Sequence, residues 1–428
     1  MIRALDRIGL AATMLCPIFL VHGRAFAEAM IDTVAIAYLL RSAWRGDSAW
    51  IRQIWVRIAG VWWVWLVVCS LPVGRLGQGG MHSLLEALAT LRFLVFAAAL
   101  QGWTLREPRR RRIMGWLLAA SFVYIAAQLL LQAATGFNLF GDPRFHDGTL
   151  TGPYDEPRAA APLSRLLFVV LLPAAAWAMG RGRGGIAGAV AVLLAGLAIM
   201  VLAGQRMPLL LTGLGLLVAG LMLRRLRVPL LACLLAVPAL VAASAVVTPR
   251  SFGHLVVLFE HQMRHFGASP YGLIYARAMV IAEDEPWTGR GFDGFRTGCA
   301  DPLYFHGFPP LSAASSNGGG AAFCVQHAHN HYLQAVTDSG IPGLVLFCAM
   351  VLAWLLVLSR GLARPQAPIL HAWRTGLFCA VLIQEWPIAS TSAFTNMPLG
   401  GWFFLLLGVG LAATPSYIGG RTRGNLHV

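Results

Sequence analysis

Lysine is absent from this 428-residue chain: all 33 basic residues are arginine, against 18 acidic ones, giving a formal net charge of +15. Charge of either sign is scarce, at 12% of residues, about half the share of an ordinary soluble domain. That scarcity excludes a cytosolic enzyme of the usual kind and a disordered tail protein. Cysteine is sparse too. Most of the 7 cysteines fall inside apolar runs, where they read as small buried hydrophobes, so a secreted disulfide scaffold is excluded. No internal repeat of useful period appears. Acidic residues within apolar runs are scarce, with Asp32, Glu86 and Glu385 the candidates for a proton or cation relay, and no matched pair of Gly/Pro-broken segments carries ionisable residues, as in many transporters. The basic excess lacks the aromatic-interleaved stripe of a nucleic-acid binder, so nucleic acid is not an expected partner. In an apolar chain the same excess points to positive-inside loops and contacts with anionic membrane phospholipids.

Hydrophobic residues make up 57% of the chain, and the mean hydropathy is +0.67. Apolar runs of about twenty residues, the length that spans the hydrocarbon core of a bilayer, recur at 8–22, 25–43, 54–74, 83–104, 113–134, 160–180, 184–203, 207–223, 228–248, 338–358, 368–388 and 397–414. The fold class is therefore an all-α polytopic membrane protein with about twelve transmembrane helices. The first run lacks a convincing cleavage site and is followed by further spans, so it reads as a span and not a signal peptide. Arginines mark alternate connections: Arg3 and Arg7; Arg41, Arg45 and Arg52; Arg106 and 109–112; Arg181 and Arg183; Arg224, Arg225 and Arg227; Arg360 and Arg364; and Arg421 and Arg423. By the positive-inside rule these connections and both termini face the cytoplasm. The opposite face carries two long connections, 135–159 and 249–337, and long loops in compact proteins are usually functional. The chain thus divides into 1–248 with nine spans, 249–337 as a large loop, and 338–428 with three spans and a tail. Chemistry on that face lies beyond the reach of cytoplasmic nucleotide sugars, so a glycosyl or phosphoryl donor there must be carried on a lipid.

Several residues in or beside these connections can carry chemistry. Arg206, in AGQRMPLLL, lies at a short turn on the non-cytoplasmic side. It reads either as an arginine snorkelling to headgroups or as a planar guanidinium fork aimed at phosphate. The stretch QHAHNHYLQAVTDSGIPGL, 326–344, places His327, His329 and His331 at alternate positions. In a strand the three share one face; in a helix only His327 and His331 do. A metal reading stays open, although no carboxylate or thiolate follows until Asp338, and so does a bland one in which these residues cap a helix. The acidic groups Asp155-Glu156 and 283–285 read as solvated loop charges. Cys299 and Cys324, in the large connection, flank a Gly/Ser-rich patch at 312–320 and form a candidate disulfide in an oxidising compartment.

The run His329-Asn330, nine residues, Gly340, two residues, Gly343 resembles the H-[N/S/Q]-x9-G-x2-[G/T/Y] signature of the O-antigen ligase family, bacterial enzymes that attach O-antigen to lipid A-core. Arg206 to Leu210 resembles the R-x3-L element of that superfamily. Pro286, Gly289 and Gly291 resemble its P-x2-G-x-G segment, and TGPYDEPR at 151–158 resembles its TG-x-F-x-x-P region. An arginine typical of the family some fifteen residues before the P-x2-G-x-G segment has no counterpart at that spacing. The position holds Tyr271; Arg264 is the nearest arginine upstream and Arg277 the nearest downstream, and Arg264 is preferred.

The resemblance implies a GT-C-like fold with a large periplasmic loop domain, in the bacterial inner membrane. It implies a donor of O-antigen glycan on undecaprenyl diphosphate, a lipid A-core sugar hydroxyl as acceptor, and inverting transfer without metal or other cofactor. His329 would be the general base; Arg206, Arg264, Arg290 and Arg158 would bind diphosphate; and Asn330, His327 and His331 would support the site. O-antigen polymerase and protein O-oligosaccharyltransferase share this layout, and a lipid-linked glycan transporter is the alternative from a different class.

Overall fold

A backbone in hydrocarbon must satisfy its own hydrogen bonds, which leaves the helix as the solution for single apolar runs. The computed structural model, which describes residues 1–309, 311, 318–391 and 394–415, follows that rule. Residues 312–317 of the Gly/Ser-rich patch, and Arg421 and Arg423, lie outside the described residues. Among the described residues the only extended pairing is an isolated bridge between Phe137 and Pro143. The helices are α1 (Ile2–Val21), α2 (Arg24–Arg45), α3 (Ile54–Cys69), α4 (Gly80–Ala89), α5 (Leu91–Ala99), α6 (Pro108–Thr135), α7 (Ala160–Met179), α8 (Gly185–Ala203), α9 (Arg206–Met222) and α10 (Arg227–Val247). Short helices α11 (Pro249–Phe252), α12 (Leu258–Arg264), α13 (Pro270–Asp284) and α14 (Gly294–Gly298) occupy the large connection. The chain then runs through α15 (His331–Ser359), α16 (Pro368–Gln384) and α17 (Leu399–Ala413).

Every one of the twelve expected stretches overlaps a helix. Among the described residues seven helical segments are long and apolar enough to cross a membrane, one of them the continuous Gly80–Thr104, and α3, α9 and α17 are shorter apolar helices. Helix α2 carries several charges, and four of them are paired: Arg24 with Glu28 at 3.4 Å, Asp32 with Arg92 at 3.4 Å, and Arg41 with Asp6 at 3.0 Å. The interior is built from α5, α7, α15, α16 and α17, with Phe394 ringed by Phe347, Trp354, Phe403 and Phe404. The periphery is apolar as well: Leu235 and Val246 of α10 are 71% and 85% exposed. Such a surface requires lipid and not water around it.

The two long connections meet at one end of the bundle. His254 Nε2 lies 3.5 Å from Asp147, and Gln205 donates to the Pro157 carbonyl. The first connection is internally tied. Gln132, at the end of α6, accepts from the N–H groups of Thr151 and Gly152 at 2.8 and 3.2 Å and donates to Pro143 O at 3.0 Å, while Asn138 donates to Gly152 O at 2.9 Å. The connections rich in arginine gather at the other end, where Asp6 accepts from Arg41 and from Trp103 Nε1 at 2.7 Å.

Candidate functional site

Helix α15 starts at His331, seven residues before the apolar run expected from 338, and it is broken inside. Ser339 (φ −144°, ψ 18°) and Gly340 (φ 65°, ψ −171°) leave helical geometry. The break frees the Thr337 carbonyl and the Ile341 N–H, Pro342 leaves the Asp338 carbonyl without a helical donor, and the 286–291 segment takes all three. Ile341 N–H donates to Pro286 O at 2.7 Å, Arg290 N–H to Thr337 O at 2.8 Å, and Gly291 N–H to Asp338 O at 3.0 Å. The approach is too close for side chains. A Cβ on Gly340 would lie 2.4 Å from the Trp287 carbonyl, and one on Gly289 (φ 57°) would lie 2.6 Å from Thr337 O and Ser339 N. Both positive φ values also favour glycine. The two glycine motifs therefore form one backbone dock, which holds the histidine segment against the bundle.

Asn330 caps α15: its Oδ1 accepts from the N–H groups of Tyr332 and Leu333 at 2.9 and 3.0 Å, and its Nδ2 donates to Pro387 O at 2.7 Å. A cap of this kind stabilises a helix by about 1 kcal/mol. Here it also fixes the residue before it. His329 has φ 52°, rare for a non-glycine residue, and its carbonyl accepts from Thr391 N–H at 2.9 Å. The His329 ring lies 4.3 Å from His327 and 5.5 Å, edge-on, from Tyr271. Burial lowers the His329 pKa below the ordinary imidazole value. Burial, and then the neighbouring His329 and His331, bring His327 down to about 4. Both rings are thus neutral at pH 7.

His331 turns away. Buried between Phe347 and Phe394, it places Nδ1 3.0 Å from Glu385 Oε2, and Tyr332 Oη donates to the Glu385 carbonyl at 2.6 Å. The three histidines follow neither the strand nor the helix pattern, because the helix begins only at the third. Among the described residues no group of three or more His, Cys, Asp or Glu side chains is placed to hold a metal ion.

Arg206 opens α9 where the two connections meet. Its Nη1 donates to Gln262 Oε1 at 2.6 Å, its guanidinium lies 6.0 Å from the Phe259 ring, and Tyr271 and Asp147 are within electrostatic reach. Among the described residues it forms no salt bridge. Arg158 is exposed, pairs with Glu156, and follows Pro157, whose carbonyl accepts from Gln205. Arg264 and Arg290 are not brought to the histidines by any such contact. Arg264 ends α12 and reaches back one turn to Glu260 on an exposed face. Arg290 is 5% exposed and donates to Tyr304 Oη at 2.6 Å and Thr297 O at 3.3 Å. Arg277 is more deeply buried still. It lies between Phe305 and Phe323 and donates to the carbonyls of Cys299 and Gly320, the latter at 2.9 Å. Cys299 and Cys324 are joined as a disulfide with Cα atoms 5.7 Å apart. Arg277 and the disulfide together close the far part of the large connection.

Tyr271 packs on His329 and Gln262 accepts from Arg206, and reading motifs in the sequence did not select either for a role. The signal for Tyr271 was its position, where the family spacing places an arginine. Tyr275, one turn further along α13, packs against Phe266. A site results with a neutral imidazole against Tyr271 and, within electrostatic reach of that tyrosine, a guanidinium that makes no salt bridge among the described residues. It can take a proton from a hydroxyl and hold an oxyanion.

A family model described as O-antigen ligase matches residues 189–348, from within α8 into α15. The match supports membership of the O-antigen ligase/polymerase superfamily. No curated protein matches the chain.

Proposed function

We propose that this member of the O-antigen ligase/polymerase superfamily is an inner-membrane ligase, transferring O-antigen glycan from undecaprenyl diphosphate to a sugar hydroxyl of lipid A-core. The observation that carries the reading is the grouping of His329, Tyr271 and Arg206 where the two long connections meet. A hydroxyl is a poor nucleophile near neutral pH; a neutral imidazole in reach accepts its proton as the oxygen attacks. His329 takes that role. The new bond joins the acceptor oxygen to the anomeric carbon of the donor, and the bond from that carbon to the diphosphate oxygen breaks. The electron pair leaves with undecaprenyl diphosphate, and one displacement inverts the anomeric configuration. Arg206, with no carboxylate partner among the described residues, stabilises the growing diphosphate charge, and Arg158 supplies a second cation from the first connection. His327, in ring contact with His329, supports the base, while His331 is held on Glu385 instead, and the Asn330 cap positions the base. In this reading the site faces the periplasm and both termini face the cytoplasm.

Purified protein in liposomes, given a lipid-linked glycan with lipid A-core, tests the assignment. The ligase reading expects glycan covalently joined to lipid A-core. Product only on a second lipid-linked glycan would make the protein a polymerase, and movement of glycan lipid across the bilayer without covalent product would make it a transporter.

A further inference from the structure

At the arginine-rich end, away from the histidines, a cavity of about 950 Å³ opens between the end of α7, the turn from α9 to α10, and the 362–372 stretch leading into α16. Arg224, Arg225, Arg364 and His371 are among its lining residues, with Met179 and Leu221 among its apolar ones. Its lining contains no acidic side chain, and the three arginines make no salt bridge among the described residues. His371 Nε2 is buried without a hydrogen-bond partner among the described residues. The floor is held in place from below by Arg374, 5% exposed, which donates to Gln366 Oε1 at 2.7 Å and to the Arg360 carbonyl.

Unpaired guanidiniums beside apolar walls suit a ligand with an anionic head and a hydrocarbon body. Exposed tryptophans put this end at headgroup depth. Trp44, Trp116 and Trp177 are 65%, 72% and 52% exposed, and Arg181 stacks 3.6 Å over Trp177; aromatic residues of this kind gather at membrane interfaces. The chain's own tail is the competing occupant, since Pro415 lies beside Gly361 at the rim. Residues 416–428 bring two further arginines and no acidic side chain, so charge disfavours the tail. Basic pockets between transmembrane helices bind acidic headgroups.

We propose that this cavity is a binding site for an anionic phospholipid, its phosphate held by Arg224, Arg225 and Arg364 and its acyl chains lying against the Met179 and Leu221 wall. The site is independent of the transfer chemistry at His329. The test is native mass spectrometry of the full chain in neutral detergent, titrated with phosphatidylglycerol or phosphatidylcholine. The expected result is retention of phosphatidylglycerol over phosphatidylcholine. Combined Arg224→Gln, Arg225→Gln and Arg364→Gln substitution should weaken it about a hundredfold, about fivefold for each arginine removed. Arg181→Gln with Arg183→Gln, basic residues outside the cavity, should leave it unchanged. The single variants carry the test if the triple variant is not recovered folded. Wild-type affinity in the cavity variants would overturn the proposal. So would inorganic phosphate competing as well as the lipid, which would make this a free-anion site, or a rise in lipid binding on deleting 416–428, which would make the tail the occupant.

Discussion

Tyr271 packs on the His329 ring and lies within electrostatic reach of Arg206, and His329 and Arg206 each have a property that can be measured. Burial lowers the His329 pKa below 6.5, so the neutral, basic form is already dominant at pH 6.5. The acid limb of kcat/KM, which reports the free enzyme's essential base, should therefore have its midpoint below pH 6.5 and rise to a plateau above it. A midpoint above 6.5 would assign the limb to another group. At Arg206 the fork geometry matters. If it binds diphosphate in two-point fashion, Arg206→Lys should fail almost as badly as Arg206→Ala in glycan transfer, because lysine is only a point charge; full activity in the lysine variant would support headgroup snorkelling. The types of these residues were legible in the sequence, since a histidine in a signature and an arginine at a non-cytoplasmic turn are unusual there. Burial was not. Nothing in the spacing separates Arg290, consumed by Tyr304 and Thr297, from Arg206, and nothing in it shows that His331 faces Glu385 while His327 faces His329.

The helices were the most legible level, because hydrocarbon thickness dictates the length of an apolar run whatever its neighbours. The break inside α15 was not. Its glycines resemble a family signature, but only the fold shows that Gly340 and Gly289 admit the 286–291 backbone to the carbonyls freed at Thr337 and Asp338. Gly340→Ala should therefore destabilise the dock by about 2–3 kcal/mol through backbone strain alone, with the clash against the Trp287 carbonyl in addition. Gly343→Ala should cost less, since Gly343 lacks the positive φ of Gly340 and a Cβ there would meet the Ser339 side chain, Cβ and hydroxyl, and not a backbone carbonyl. Thermal unfolding of the two variants checks the order; equal losses would count against the dock.

For the whole molecule, arginine asymmetry suggested which connections share an end, and contacts such as His254 with Asp147 bring the two long connections together. Which of their residues meet was not legible, because contacts between loops a hundred residues apart leave no periodicity. The disulfide closes the far part of the large connection over a separation of 25 residues. In the chain-entropy account, removing it with Cys299→Ser and Cys324→Ser should cost roughly 3 kcal/mol. Alkylation of denatured, non-reduced protein should label the five free cysteines, Cys16, Cys69, Cys233, Cys348 and Cys379, and labelling of all seven would contradict the bridge.

The central claim is that His329 is the base of a glycan transfer, held in place by the Asn330 cap and the glycine dock. The most direct measurement is the single-turnover rate of His329→Ala in liposomes with lipid-linked glycan and lipid A-core, beside wild type of equal yield and thermal stability. The account predicts a loss of about 100- to 10,000-fold, with a milder loss in His327→Ala. Near-wild-type transfer by the His329 variant would contradict it.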